Sequence, residues 1–262
     1  GSLASRGQPF PQYGTFSFDL NCGSASYNAL QAELKKRLSS GLYFMASYTW
    51  SKSLDIASDA YSGSIENVYN LGADWGPSDF NRSQMFVLSG MYALPVGRDR
   101  RYLSNSNRLV QAIAGGWNAG GILNLVSGSP FNVTAGGDIA NVGGGAQRAE
   151  KIGKPYSGTG FHQSVNEWIN KQSFAAPTQY TFGNEGRNDL VGPAYKDIDF
   201  TASKDFLLTK KATFQFRADF FNLLNHTNYS TPTANVQSAS FGRILSANGS
   251  GREIQFGAKV VF

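Results

Sequence analysis

Side chains that commonly do chemistry are scarce in this chain. It carries two histidines, His162 and His226, and one cysteine, Cys22. No pair of them has the spacing of metal ligands, so neither a zinc nor a haem site is expected. No G-x-S-x-G turn, Walker-type phosphate loop or G-x-G-x-x-G fingerprint occurs. The run Gly143-Gly144-Gly145 has no strand–helix context and reads as flexible loop. Asp and Ser are plentiful, yet no set of them favours a catalytic role. The expectation is a protein that is not an enzyme and holds no cofactor. What remains is a series of charges on alternate positions: Glu33, Lys35, Arg37, Arg217, Asp219, Glu253 and Lys259. Two roles are open to them: pairing with one another across strands, or contact with a polar ligand.

Alternation of this kind requires extended segments, in which residues two apart share a face. In 42–52, Leu42, Phe44, Ala46, Tyr48 and Trp50 oppose Tyr43, Met45, Ser47 and Thr49. In 212–221, Ala212, Phe214, Phe216, Ala218 and Phe220 oppose Thr213, Gln215, Arg217 and Asp219. In 252–262, Ile254, Phe256, Ala258, Val260 and Phe262 oppose Glu253, Gln255, Gly257, Lys259 and Val261. Residues 26–38 set Leu30, Ala32, Leu34 and Leu38 against Glu33, Lys35 and Arg37, with Lys36 on the apolar side. Weaker signals cover 14–20, 84–94, 116–127 and 197–206. The spacing predicts an all-β, antiparallel fold of about eight strands, several of 10–13 residues. Soluble strands usually run about 5–6 residues, whereas a membrane-crossing strand needs about 9–11. The strand length therefore points to a transmembrane β-barrel with the polar face lining the lumen.

The composition agrees. Charged residues make 16% of the 262 residues, against about 25% in a soluble domain. The apolar fraction is 41% and mean hydropathy is −0.29. One face of each strand needs no charge, while the other stays wet. No run of about 18 apolar residues exists, so membrane helices are excluded. The net charge of +5 is scattered, and nothing resembles a nucleic-acid-binding motif. No nucleic-acid partner is expected. The densest basic cluster is Arg98, Arg100 and Arg101, with Arg108 beside a possible short helix in 103–114.

Connection lengths alternate. Segments 39–41 and 207–211 are short and 95–115 is medium, whereas 53–83, 128–196 and 222–251 are long. Outer-membrane barrels segregate short periplasmic turns from long extracellular loops in this way. Phe44, Tyr48, Trp50, Tyr92 and Trp117 fall near strand ends, as interface aromatics do. The loops carry Tyr61, Tyr69, Trp75, Tyr156, Trp168 and Tyr180, which can stack on a sugar or hold the loops together.

A series of longer words recurs in order. It runs Ser26-Tyr27-Asn28-Ala29-Leu30-Gln31, Ala46-Ser47-Tyr48-Thr49-Trp50-Ser51-Lys52-Ser53, and Gly76-Pro77-Ser78-Asp79-Phe80-Asn81-Arg82. Later come Ser127-Gly128-Ser129-Pro130-Phe131, Phe182-Gly183-Asn184-Glu185-Gly186-Arg187-Asn188, and Phe214 through His226. The series resembles the C-terminal barrel region of Oar-like TonB-dependent outer-membrane receptors, the carboxypeptidase-regulatory-like branch. The resemblance implies a barrel of about 22 strands with a plugged lumen. It further implies active nutrient uptake, with this chain supplying lumen wall and ligand-capture loops. The plug and the TonB complex would be reached through N-terminal parts missing here. The terminal strand, Ile254, Phe256, Ala258, Val260 and Phe262, would be the signal read by the barrel assembly machinery. The setting implied is the bacterial outer membrane, with lipid as partner, long loops extracellular and the C-terminus periplasmic. The ligand, whether small molecule, sugar or peptide, is not named by the resemblance. The other readings are a non-transporting surface barrel acting in adhesion or scaffolding, and a soluble β-sandwich binding module, which the alternation alone would also fit.

Overall fold

The computed structural model describes residues 21–59, 65–209 and 211–262. In chain order its strands are β1 (Ala25–Ser39), β2 (Leu42–Asp55), β3 (Gly76–Pro77) and β4 (Gln84–Ala93). Helix α1 (Arg108–Ala114) follows, then β5 (Trp117–Val126), β6 (Pro130–Phe131), β7 (Glu150–Lys151), β8 (Phe174–Ala175) and β9 (Leu190–Val191). The last three are β10 (Tyr195–Leu207), β11 (Thr213–Phe221) and β12 (Glu253–Val261). The long strands form one antiparallel sheet in the order β1-β2-β4-β5-β10-β11-β12, with β3 paired to β2. Each segment with period two has become a strand, within three residues of the expected ends. The strand expected at 14–20 lies outside the described residues. The sheet is open among the described residues, with β1 at one edge and β12 at the other.

Register carries the alternation across the whole sheet. Glu33 faces Ser47, Ser47 faces Val87, and Val87 faces Asn124. Asn124 faces Asp197, and further along β10 Thr201 faces Asp219, which faces Gln255. Directly opposed residues share a face, so two faces run through all seven long strands, one apolar and one that carries the acidic and most polar side chains but is apolar on β4 at Met85, Val87 and Met91. The β1–β2 turn, Ser40-Gly41, takes φ of 52° and 77°. Two successive left-handed residues match the twist of the flanking strands, as a two-residue hairpin requires.

Connections sort by rim. The chain leaves one rim between β1 and β2, β4 and β5, and β10 and β11, and the other rim between β2 and β4, β5 and β10, and β11 and β12. The hydrophobic core lies in the long connections, not on the sheet. Phe131, Val133, Ala149, Ile169, Phe174, Leu190 and Phe241 are buried together, with Trp168, Ala234 and Val236 packed against them. The short pairs β6–β9 and β7–β8 organise this core, and Thr134 bridges both Arg148 and Asn235. The sheet's own large apolar residues are half-buried or exposed, with Trp50 at 59% and Phe256 at 69%. An extended uncovered apolar surface marks contact with a non-aqueous neighbour.

Candidate functional site

Two regions gather polar side chains: the polar face of the sheet and the loop layer above one rim. On the sheet, Glu33, Lys35, Arg217, Asp219, Glu253 and Lys259 all occupy the polar face. Arg37 follows the same alternation but sits where the β1–β2 register shifts, between Lys36 and Ser39. These charges do not form one cluster. Arg217 Nε donates to both Asp219 carboxylate oxygens at 2.8 Å, and Thr201 Oγ1 donates to Asp219 Oδ1 at 2.6 Å. Glu33 and Lys35 lie on edge strand β1, while Glu253 and Lys259 lie on the opposite edge. Between the edges, Ser89, Asn118, Thr201, Ser203, Arg217 and Asp219 line a groove of about 430 Å³ floored by Gly120 and Gly121. Asp197 and Asp199 share this face and were not singled out from the sequence. The alternation of 197–206 already placed them.

The apolar face holds the expected aromatics. Phe44, Tyr92 and Trp117 sit toward the short-turn rim, Tyr48 and Trp50 toward the long-loop rim. Among the described strand residues, its charges are four lysines. Lys36 and Lys204 lie toward the short-turn rim, Lys52 and Lys196 toward the other. Lys196 and Lys204 bound a stretch of β10, roughly 27 Å long at ~3.4 Å per residue, whose apolar face of Ile198, Phe200 and Ala202 carries no charge. Long lysine stems let the ammonium leave an apolar slab at its borders. Ile254, Phe256, Ala258 and Val260 of β12 continue this face, and Phe262 follows the strand fully exposed.

In the loop layer two buried arginines tie separate connections together. Arg148, near β7, reaches back to the β2–β4 connection. Its Nη1 donates to Asp74 Oδ1 at 2.6 Å, and its Nη2 lies 2.5 Å from Glu66 Oε2. Its amide donates to Glu66 Oε1 at 2.6 Å, and its Nε donates to the Glu185 carbonyl at 3.1 Å. Arg187 binds the top of β2 through the Asp55 carbonyl at 2.9 Å and the Asp55 carboxylate. It also reaches Ser58 Oγ at 2.8 Å and Asp79 Oδ1 at 3.3 Å. Asn188 donates to the Pro77 carbonyl at 2.7 Å and to Asp79 Oδ1 at 2.6 Å. Among the described residues every buried side-chain polar atom has a partner. Full satisfaction is what makes a buried charged network tolerable.

Burial sets the ionisation here. Glu185, with both carboxylate oxygens on the Val133 amide at 3.1 and 2.9 Å, has its pKa pushed up to about 8 by desolvation. Burial also raises Glu66, against the pull of the Arg148 amide and guanidinium. Glu66, Asp79, Asn132, Thr134, Arg148 and Arg187 line a polar cavity of about 210 Å³ between the connections. Its charged donors and acceptors already hold one another.

The loop aromatics divide. Tyr156 Oη donates to the Val191 carbonyl at 3.0 Å and accepts from the Val191 amide at 2.8 Å. Trp168 Nε1 donates to the same carbonyl at 3.0 Å. Both hold the layer together. Tyr69 and Tyr180 point outward, 96% and 57% exposed, and Trp75 is partly exposed. Tyr61 lies outside the described residues. His226 forms a turn, its amide donating to Asn222 Oδ1 at 2.8 Å. Sequence reasoning quoted Arg187 only as part of a word and missed Arg148, Glu66 and Asp74. They are distant in the chain and meet only through the folded loops. Among the described residues no group of three or more His, Cys, Asp or Glu is placed to hold a metal ion.

Neither a curated protein nor a solved structure matches the chain. A family model described as "Outer membrane beta barrel domain" matches residues 2–255. The long alternating strands, the uncovered apolar face and the one-sided loop layer agree with that match, and the chain belongs to this family of outer-membrane β-barrel domains.

Proposed function

We propose that the chain is the C-terminal barrel portion of a TonB-dependent outer-membrane receptor for active nutrient uptake. The observation that carries this reading is the loop layer. It has its own core, two arginine staples and a polar cavity, all at the rim of a sheet whose polar face holds a second groove. A rim that only closed a barrel would not need this layer. In this reading the loops capture ligand outside the cell and the polar face lines the lumen. The short turns face the periplasm, and further strands pair with β1 and β12 to complete the wall. A plug in the lumen, coupled to TonB, would meet Arg217, Asp219, Asp197 and Asp199. β12 would present its apolar residues to the barrel assembly machinery. The chain binds and conducts its ligand and does not transform it.

A bacterium deleted for this gene, grown on a panel of limiting nutrients, tests the reading. Growth is expected to fail on one source and to return with the intact gene, but not in cells lacking TonB. Unchanged growth on every source refutes uptake. Lost surface attachment with normal growth would favour the adhesion or scaffolding barrel, which the size of the loop layer also supports.

A further inference from the structure

The 94–116 connection contains a device that nutrient uptake does not use. We propose that it is a membrane-surface anchor. In it helix α1 lies at the lipid interface outside the sheet, and arginines beside it bind the phosphates of anionic phospholipid in the periplasm-facing leaflet. The inference rests on family membership and on the orientation read above, not on transport.

The helix is fixed to the apolar side. Lys204 projects from the apolar face of β10, nearly buried, and its Nζ donates to the carbonyls of Gln111 at 3.1 Å and Ala112 at 2.6 Å. The same ammonium lies 5.8 Å from the Trp117 ring centroid and 4.8 Å from that of Phe206. Trp117 Nε1, also on the apolar face, donates to the Ile113 carbonyl at 2.8 Å. A cation at the carbonyl end of a helix also complements its dipole. The segment is folded. Asn107 Oδ1 caps the Val110 amide at 2.9 Å, and Val96 bridges Tyr102.

The free surface of this element is amphipathic. Leu109 and Ile113, one turn apart, are 69% and 66% exposed, and no other part of the described chain covers them. Arg98, Arg100, Arg101 and Arg108 of the same connection are exposed as well, with Asp99 the one acid between residues 94 and 116. Apolar side chains beside a basic cluster are the signature of a helix seated among anionic headgroups. The surface continues the aromatic rim of Phe44, Tyr92 and Trp117, where a barrel meets the interface. That continuity and the charge select a lipid surface over a protein.

The test uses the protein purified from outer membranes, with Cys22→Ser and Ile113→Cys carrying an environment-sensitive fluorophore. It is reconstituted into phosphatidylcholine vesicles with and without phosphatidylglycerol. A blue-shifted emission, quenched by nitroxide lipid and not by aqueous iodide, is expected in both. Phosphatidylglycerol should enrich around the protein over phosphatidylcholine. Each Arg→Gln change at 98, 100 or 101 should cut that enrichment on the order of fivefold. Iodide quenching equal to that of the free dye, or enrichment indifferent to the arginines, overturns the proposal. Arg100→Cys, probed with an impermeant maleimide, should label only after the outer membrane is opened. Labelling in intact cells overturns the leaflet and the orientation together, whatever the growth tests show.

Discussion

Arg148 is the residue on which the loop layer turns. Its guanidinium answers Asp74, fully buried, and Glu66, and both carboxylates belong to another connection. Removing one partner of such a set strands the other charge, at a cost of about 3–5 kcal/mol. Arg148→Met should therefore loosen the 127–194 connection while the sheet persists. Limited proteolysis should cut this connection faster and leave the strands protected. Glu185 sets a pH dependence. Its carboxyl titrates near 8 in the folded layer and near 4.5 when free. Between those values the folded state keeps a proton that the unfolded state releases, so stability falls as pH rises through this window and levels off above it. The melting temperature of the loop layer should be lower at pH 8.5 than at pH 5. Glu185→Gln should flatten the difference, because the amide keeps an acceptor for Val133 and never ionises.

The elements show how a sheet in lipid is assembled. β5 carries adjacent glycines at 120 and 121, and a Cβ on Gly121 would stand 2.7 Å from the Asp199 carbonyl oxygen. That oxygen is backbone of the paired strand β10 and cannot turn aside. Gly121→Val should pry β5 from β10 and abolish the resistance of the folded protein to dodecyl sulfate at room temperature. A band unchanged by the substitution would contradict this close approach. Lys204 acts between elements, joining the sheet to α1. Lys204→Met removes a charged hydrogen bond of about 1.5 kcal/mol. Amide hydrogens of 108–114 should then exchange roughly tenfold faster, with those of β10 unchanged.

At the scale of the whole molecule the decisive feature is the pair of sheet edges. Every residue of β12 is exposed, as is nearly all of β1. Unpaired strand edges are not tolerated within hydrocarbon, so the proposed reading has further strands on both sides. The chain of residues 1–262 by itself should thus fail to give a heat-modifiable band after refolding into lipid. Appearance of such a band would mean that these strands close alone. The loop layer differs, for its core does not involve the sheet edges. It should keep its protease protection in the complete barrel whether or not ligand is present.

Strand positions, their two faces and the sorting of loops by length were legible in the sequence. A period of two is a local property, and lipid on one side makes it strict. Hence Ile254 to Val260 could be assigned a face before any partner strand was known. A resemblance carried by ordered words pointed to an outer-membrane barrel, and the family match agrees at that level. The meeting of Arg148 with Glu66 and Asp74, of Arg187 with Asp55, and of Lys204 with the end of α1 was decided only by tertiary structure. These partners stand far apart along the chain, and in each pair at least one member lies in a connection with no periodicity, so their pairing depends on how the connections fold back. Even so, the loops' composition hid a core: their buried apolar residues are few, spaced irregularly, and gathered only by the short pairs β6–β9 and β7–β8. Alternation speaks for the part of a chain that meets lipid, and three-dimensional closure for the part that meets water.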